Sequence, residues 1–193
     1  MKPINSKIVD LPRRKKPGAF QMRQPSGHDG LAVNRLIGYC QPLDTNSIYC
    51  NLLQCTHFST TSVIALQSGE VCGFVSGYLK PLDPQVLFVW QVAVAEEARG
   101  RGLGLSMVKE LLNRPVCAEV KFIETSINPD NQPSWSLFES LARQYDATLL
   151  SKCWFDSDRH FNGQHEDELL VRIGPFEAQQ IQDASQQHPR RKS

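Results

Sequence analysis

The run Leu87-Phe88-Val89-Trp90-Gln91-Val92-Ala93-Val94, followed by Ala95-Glu96-Glu97-Ala98-Arg99-Gly100-Arg101-Gly102-Leu103-Gly104, constrains the fold more than any other part of the chain. Its first part is apolar at odd and even positions alike, as a strand covered on both faces must be. Its second part sets three glycines at the start of a helical pattern whose apolar stripe is Leu103, Met107, Leu111 and Leu112. A buried strand feeding a helix through a glycine-rich turn points to an α/β domain. The glycines allow backbone to approach a ligand without Cβ collisions. The first helical turn supplies unpaired N–H groups and the positive end of the helix dipole. Arg99 and Arg101 add charge. Together, Arg99, Gly100, Arg101, Gly102, Leu103 and Gly104 predict an anion site suited to a diphosphate. The turn is not a Walker loop, because no GK[ST] follows, and it is not the GxGxxG dinucleotide fingerprint.

The flanking sequence supplies the other elements. Phe20 to Arg23 predicts a first strand, and Ser26 an N-cap before a helix with Leu31, Val33, Leu36 and Ile37 on one face. Pro42 ends that helix. A second, short helix is expected from Asn46-Ser47 toward His57. Residues 62–66 and 71–78 read as a hairpin around Gln67-Ser68-Gly69-Glu70. Pro81 and Pro84 mark a loop. After the glycine turn and its helix come a strand at 121–127 and a helix with Trp135, Leu137, Phe138 and Leu141. A strand at 147–154, a polar histidine-rich loop and a strand at 168–173 complete the chain. This order predicts a mixed sheet and excludes a repeating βαβ array.

The chain has 193 residues and a net charge of +1, so one domain with tails is expected. Residues 1–19 hold six basic and one acidic side chain, and residues 177–193 three and two, which leaves 20–176 with a balance of −5. The basic ends offer a surface to nucleic acid, but the acidic body has no basic stripe. Solvated disordered tails at 1–19 and 177–193 around a domain at 20–176 are the simpler reading, with no nucleic-acid partner. No apolar run reaches the roughly 20 residues of a membrane span, and the start is basic and polar. Six scattered cysteines form no CxxC, and their spacing fits no zinc pattern, so reduced thiols in a cytoplasmic protein are expected.

The spacing Arg99-x-x-Gly102-x-Gly104, with Asn131-x-x-Ser134-x-x-Leu137-Phe138-x-x-Leu141 after it, resembles the acyl-CoA site of GNAT-type N-acetyltransferases. Further blocks narrow this resemblance. They are Pro42-Leu43-Asp44-Thr45-Asn46-Ser47, residues 57–63, 73–78 and 87–94, Pro129-Asp130-Asn131, residues 160–169 and Arg172-Ile173-Gly174-Pro175. Over residues 22–176 the chain is similar to the L-2,4-diaminobutyrate acetyltransferases of ectoine biosynthesis. The resemblance implies a GNAT fold, with a mixed, mostly antiparallel central sheet flanked by helices. It implies transfer of acetyl from acetyl-CoA to the γ-amine of L-2,4-diaminobutyrate, without a metal, by a homodimer. It also implies that Val92, Ala93 and Val94 hold the pantetheine arm through backbone groups. The amides of residues 99–104 would hold the diphosphate, and Asn131 would border the CoA arm. A GNAT enzyme acting on another small diamine or amino acid is the alternative. A non-enzymatic acetyl-CoA-binding or nucleic-acid-binding module is a further one.

The chemistry needs a neutral amine, yet an alkylamine has a pKa of about 10 and is about one part in a thousand neutral at pH 7. A base must take the proton, and one end of the substrate must be anchored so that the γ-amine faces the thioester. The resemblance places Asp44, Trp90, His165 and Glu168 around the diamine, with Thr45 beside Asp44. Glu168 is the expected proton acceptor, Asp44 an ammonium anchor, and Trp90 a wall for the aliphatic stem. From the residues alone, Asp44 reads equally well as a turn residue, Glu168 as a strand-edge charge and Trp90 as core. Many GNAT enzymes carry a Tyr after the Leu of the Asn helix to protonate the leaving thiolate. This chain has Phe138 there, and Tyr145 lies about two turns further along. The backbone N–H of Val92 is expected to meet the oxyanion.

Overall fold

The computed structural model describes residues 18–40, 43 and 45–176. Asp44 and nearly all of the two expected tails lie outside the described residues. The strands are β1 (Gln21–Arg23), β2 (Val63–Gln67), β3 (Glu70–Lys80), β4 (Asp83–Val94), β5 (Phe122–Ile127), β6 (Thr148–Phe155) and β7 (Glu168–Gly174). They form one sheet in the order β1–β2–β3–β4–β5–β7–β6. Pairing of β4 with β5 is parallel, and the other five pairings are antiparallel. The helices are α1 (Gly30–Tyr39), α2 (Ile48–Thr56), α3 (Leu103–Leu112), α4 (Gln132–Gln144) and a short α5 (Ser157–Phe161).

Alternation along the strands builds a core on each face of the sheet. Ile64, Phe74 and Ala93 point to one face and pack with Val33, Leu36 and Ile37 of α1. Val63, Val75, Leu87 and Val89 point to the other and pack with Met107, Val108 and Leu111 of α3 and Phe138 and Leu141 of α4. Each of these side chains larger than alanine contributes about 1.5–3 kcal/mol when fully buried. This two-sided burial is why the central run shows no polar alternation. At the start of the domain, Ser26 N–H donates to Asp29 Oδ2 at 2.7 Å, and Arg23 Nη2 donates to Asp29 Oδ1 at 2.7 Å. Ser26 therefore caps a single 3-10 turn, Gly27–Asp29, and α1 starts only at Gly30.

Two further expectations are corrected. The loop around Pro81 and Pro84 shrinks to a tight turn, because Lys80 pairs with Asp83 and Pro84 enters β4 at an exposed position. Proline is tolerated there, at the beginning of a strand. The histidine-rich loop contains α5, whose N-cap Asp156 accepts from the N–H groups of Asp158 and Arg159.

The irregularity that shapes the site lies in β4. Gly77 pairs with Val89 and Ser76 with Gln91, so Trp90 is an extra residue in a β-bulge. Parallel pairing with β5 spans only Val86–Phe88 against Phe122–Glu124, while β5 stays paired to β7 as far as Ile127. Beyond the bulge, β4 and β5 diverge and leave a cleft through the sheet.

Candidate active site

The cleft opens into a groove of about 670 Å³ on the α3/α4 face, bounded by Val92, Val94, Arg99, Gly100, Gly102, Leu103, Gly104 and Asn131. Its chemistry follows from strand register. Ala95 N–H donates to Cys72 O at 2.9 Å, which makes Gly73–Val94 a non-hydrogen-bonded pair. By alternation Val75–Val92 is another, so the N–H and C=O groups of Val92 and Val94 point away from β3 into the cleft. They form a row of backbone donors and acceptors suited to an extended amide-containing arm. Val94 O is partly engaged, accepting from Arg99 Nε at 3.0 Å and from the Cys40 thiol at 3.4 Å. Ala93 does not line the groove: its side chain belongs to the core beneath α1, and by the same alternation its N–H and C=O face Phe74 of β3.

At the mouth of the groove the chain turns through Gly100 (φ +69°) and Gly102 (φ +72°) before α3 begins. Both sites disfavour a side chain, and an added Cβ at either would meet no heavy atom within 4 Å. The space above the turn is an open cradle. The first amides of α3 face that space with the positive end of the helix dipole. Gly104 serves packing instead, since a Cβ there would stand 2.7 Å from Leu137 Cδ1. Among the two arginines, Arg99 lines the groove, while Arg101 lies 4.0 Å over the Phe20 ring and donates to Gln67 Oε1 at 3.3 Å. Asn131 caps α4, its Oδ1 accepting from Ser134 N–H at 3.2 Å. Sequence reading does not single out Cys40, Ser136 or Ser140, which also line the groove. The spacing of the two serines, four apart on α4, was the available signal.

The opposite face of the cleft is built from rings and carboxylates. Trp90, 44% exposed at the bulge, meets Tyr78 edge to face at 6.5 Å. The row continues from Tyr78 to Phe88 at 5.2 Å, Trp154 at 5.7 Å and Phe155 at 4.3 Å. Phe155 reaches Phe161, whose ring lies 4.7 Å from His165. Glu168 pairs with Phe155. By period two it shares its face with Arg172, which donates to Glu124 Oε1 at 2.6 Å. Glu124 pairs in turn with Phe88. Trp90, Glu168 and His165 are thus joined along one surface. Ser157 Oγ donates to His165 O at 2.6 Å, and Ser157 N–H donates to Asp167 Oδ1 at 2.7 Å. These bonds pin the loop ahead of Glu168. Thr45 is exposed, and the next residue, Asn46, donates from Nδ2 to Gln91 Oε1 at 3.2 Å beside Trp90.

Several other groups are placed away from the chemistry. Phe138 is buried in the core. Tyr145 lies just past the end of α4 as its C-cap, packed on Phe176 at 5.3 Å, and its hydroxyl has no partner among the described residues. Burial pushes the Tyr145 pKa up to about 12. Burial alone would raise that of Glu124, but Lys80 at 2.7 Å and Arg172 hold it below the ordinary carboxylate value. All six cysteines are free thiols, and burial raises Cys55 and Cys117 to about 11. Among the described residues, no group of three or more His, Cys, Asp or Glu is arranged to hold a metal ion. No described helix is long and apolar enough to cross a membrane.

Residues 34–142 match the model of the acetyltransferase (GNAT) family. The chain is 51% identical, over 88% of its length and 99% of the relative's, to the L-2,4-diaminobutyric acid acetyltransferase of Methylotuvimicrobium alcaliphilum. It is 47% identical to that of Halomonas elongata over 83% of each chain. The solved structure of the Paenibacillus lautus diaminobutyrate acetyltransferase, in complex with L-2,4-diaminobutyric acid and coenzyme A, superposes with a TM-score of 0.80. That match has 38% identity and covers 82% of this chain and 96% of that one. The ribosomal-protein-S18-alanine N-acetyltransferase of Escherichia coli, 12% identical with a TM-score of 0.58, shares the fold.

Proposed function

Because this chain belongs to the GNAT acetyltransferases, and within them to the L-2,4-diaminobutyric acid acetyltransferases, we propose that it transfers acetyl from acetyl-CoA to the γ-amine of L-2,4-diaminobutyrate. The product is N4-acetyl-L-2,4-diaminobutyrate, an ectoine precursor, and acetyl-CoA is a cosubstrate used without a metal. The observation that carries this reading is the cleft between β4 and β5. It joins a groove fitted to a diphosphate-bearing arm with an aromatic, carboxylate-bearing surface on the other side. A thioester delivered along Val92 and Val94 meets an amine resting on Trp90.

In this reading the amides of residues 99–104 hold the diphosphate, the Arg99 side chain adds charge, and Asn131 borders the arm. Val92 N–H donates to the developing oxyanion. Such a preorganised donor is worth about 2.7–4 kcal/mol in transition-state stabilisation. Glu168 accepts the ammonium proton, directly or through water. Trp90 walls the aliphatic stem, and His165, Thr45 and Asp44 complete the acceptor pocket, with Asp44 as an ammonium anchor. Phe138 and Tyr145 supply no acid, so the thiolate is protonated by another group or leaves as the anion, which a thiol pKa of about 8–9 permits. We place the catalytic domain at 20–176, the tails outside it, and the enzyme in the cytoplasm, in keeping with its free thiols. A homodimer is supported by Leu150 and Trp154, which stand 64% and 37% exposed on β6, and light scattering tests it.

The functional test is release of coenzyme A with L-2,4-diaminobutyrate, ornithine, lysine and a polyamine in parallel, with the acetylated nitrogen identified by NMR. Preference for diaminobutyrate and acetate on the γ-nitrogen are expected. Preference for a longer diamine would reject the substrate assignment.

A further inference from the structure

Between α1, α2 and β4 lies a chain of side-chain amides where an apolar interface would ordinarily be found. Asn34 Nδ2 donates to Asn46 O at 2.9 Å and to Asn51 Oδ1 at 2.8 Å. Asn51 Nδ2 donates to Gln54 Oε1 at 2.9 Å. Asn46 Nδ2 donates to Gln91 Oε1. Asn51 and Gln54 are fully buried, and Gln91 is 8% exposed.

Buried amides are costly wherever a donor or acceptor goes unmade, at about 1–3 kcal/mol for each orphan. This chain carries such an orphan, since Gln54 Nε2 has no partner among the described residues. Leucine-sized side chains would fill the same space without that penalty. Retention of the amides is explained by what the other end of the ladder holds. Gln54 Oε1 fixes the orientation of the Asn51 amide, so that Asn51 Oδ1 accepts from Asn34. Both hydrogens of Asn34 Nδ2 are then committed, one of them to the backbone carbonyl of Asn46. That carbonyl lies in the segment before α2, directly after Thr45. The Asn46 side chain reaches Gln91, the neighbour of the bulged Trp90. The segment is gripped by its backbone from α1 and by its side chain from β4.

We infer that Asn34 is a positioning residue for the amine acceptor. Through Asn46 it sets the Thr45–Asn46 segment against Trp90, and Asn51 and Gln54 lock its orientation. This inference rests on the acceptor pocket lying at Trp90, as proposed above. Asn34 itself touches neither substrate, and the ladder makes no contact with the diphosphate turn.

The test is steady-state kinetics of Asn34→Asp, which keeps the size and removes both donors, and of Gln54→Leu, which removes the acceptor at the far end of the ladder. Retention of coenzyme A and the melting temperature report folding. Each variant should raise KM for L-2,4-diaminobutyrate about tenfold, the loss of roughly one or two hydrogen bonds, and leave KM for acetyl-CoA unchanged. An unchanged amine KM in both variants, or an equal rise in both KM values, would overturn the inference. So would loss of coenzyme A retention in both, because the ladder would then be holding the fold itself. Turnover of diaminobutyrate by the parent enzyme, measured alongside, tests the functional reading separately.

Discussion

Replacing Gly104 by alanine separates stability from ligand binding. The new methyl would lie 2.7 Å from Leu137 Cδ1, 3.5 Å from Val92 Cγ1 and 3.7 Å from Val94 Cγ2. The last two are ordinary contacts. The first overlaps by about 1 Å, because carbon pairs rest at about 3.5–4.0 Å. Leu137 Cδ1 ends a flexible side chain and can rotate, at about 0.5–1.5 kcal/mol for a displaced rotamer. Alanine gains up to about 1 kcal/mol over glycine in a helix, with Gly104 at the second position of α3. The two terms nearly cancel, so the melting temperature should move by no more than about 2–4 °C for a chain of this size. Binding has no such compensation, since Leu137 lines the groove and its displacement alters the groove wall. Calorimetric titration should show coenzyme A binding weakened about tenfold, equivalent to about 1.4 kcal/mol. Unchanged affinity would refute the placement of the arm between α3 and α4. A collapse in melting temperature would refute the cancellation.

Three further outcomes are expected. Glu168→Gln should lower kcat by about 100-fold or more, the usual contribution of a general base, and turnover near that of the parent across pH 7–9 would remove Glu168 from that role. Asp29 is held at about 2, first by its hydrogen bonds from Arg23, with burial opposing and Ser26 assisting. Its depressed folded-state pKa contributes stability above pH 4 that is lost as pH falls toward 2, by at most about 2 kcal/mol because Arg23 is largely solvated; acid unfolding of Asp29→Asn against the parent measures it, and an identical acid profile would contradict it. Tyr145→Phe removes a buried hydroxyl that has no partner among the described residues and should leave turnover and melting temperature near the parent values, whereas a large fall in kcat would make Tyr145 the missing acid.

The sequence made the donor side of the site readable and hid much of the acceptor side. Gly100, Gly102 and Asn131 advertise a turn and a cap, because those backbone positions demand particular residue types. The uninterrupted apolar run of β4 announces burial on both faces. The same run conceals the bulge at Trp90, since an extra residue leaves no trace where every neighbour is large or apolar. Trp90 read alone passes for core, and only the register shift exposes it. Pro81 and Pro84 suggest a longer loop than exists, because one proline at an exposed strand start costs no ladder bond. Asn34, Asn51 and Gln54 look like surface positions of two amphipathic helices, and the burial of Asn51 and Gln54 depends on how α2 packs against α1. The proposed placement of Trp90 and Glu168 in one pocket joins residues 78 positions apart in sequence, which only the sheet order can bring together.

The most direct test of the diphosphate turn compares coenzyme A with pantetheine, which lacks the diphosphate and nucleotide, by calorimetric titration of the full chain. Tighter binding of coenzyme A by at least about 100-fold is predicted, the worth of roughly two charge-assisted hydrogen bonds from the α3 amides and Arg99. Equal affinity for the two would contradict the account.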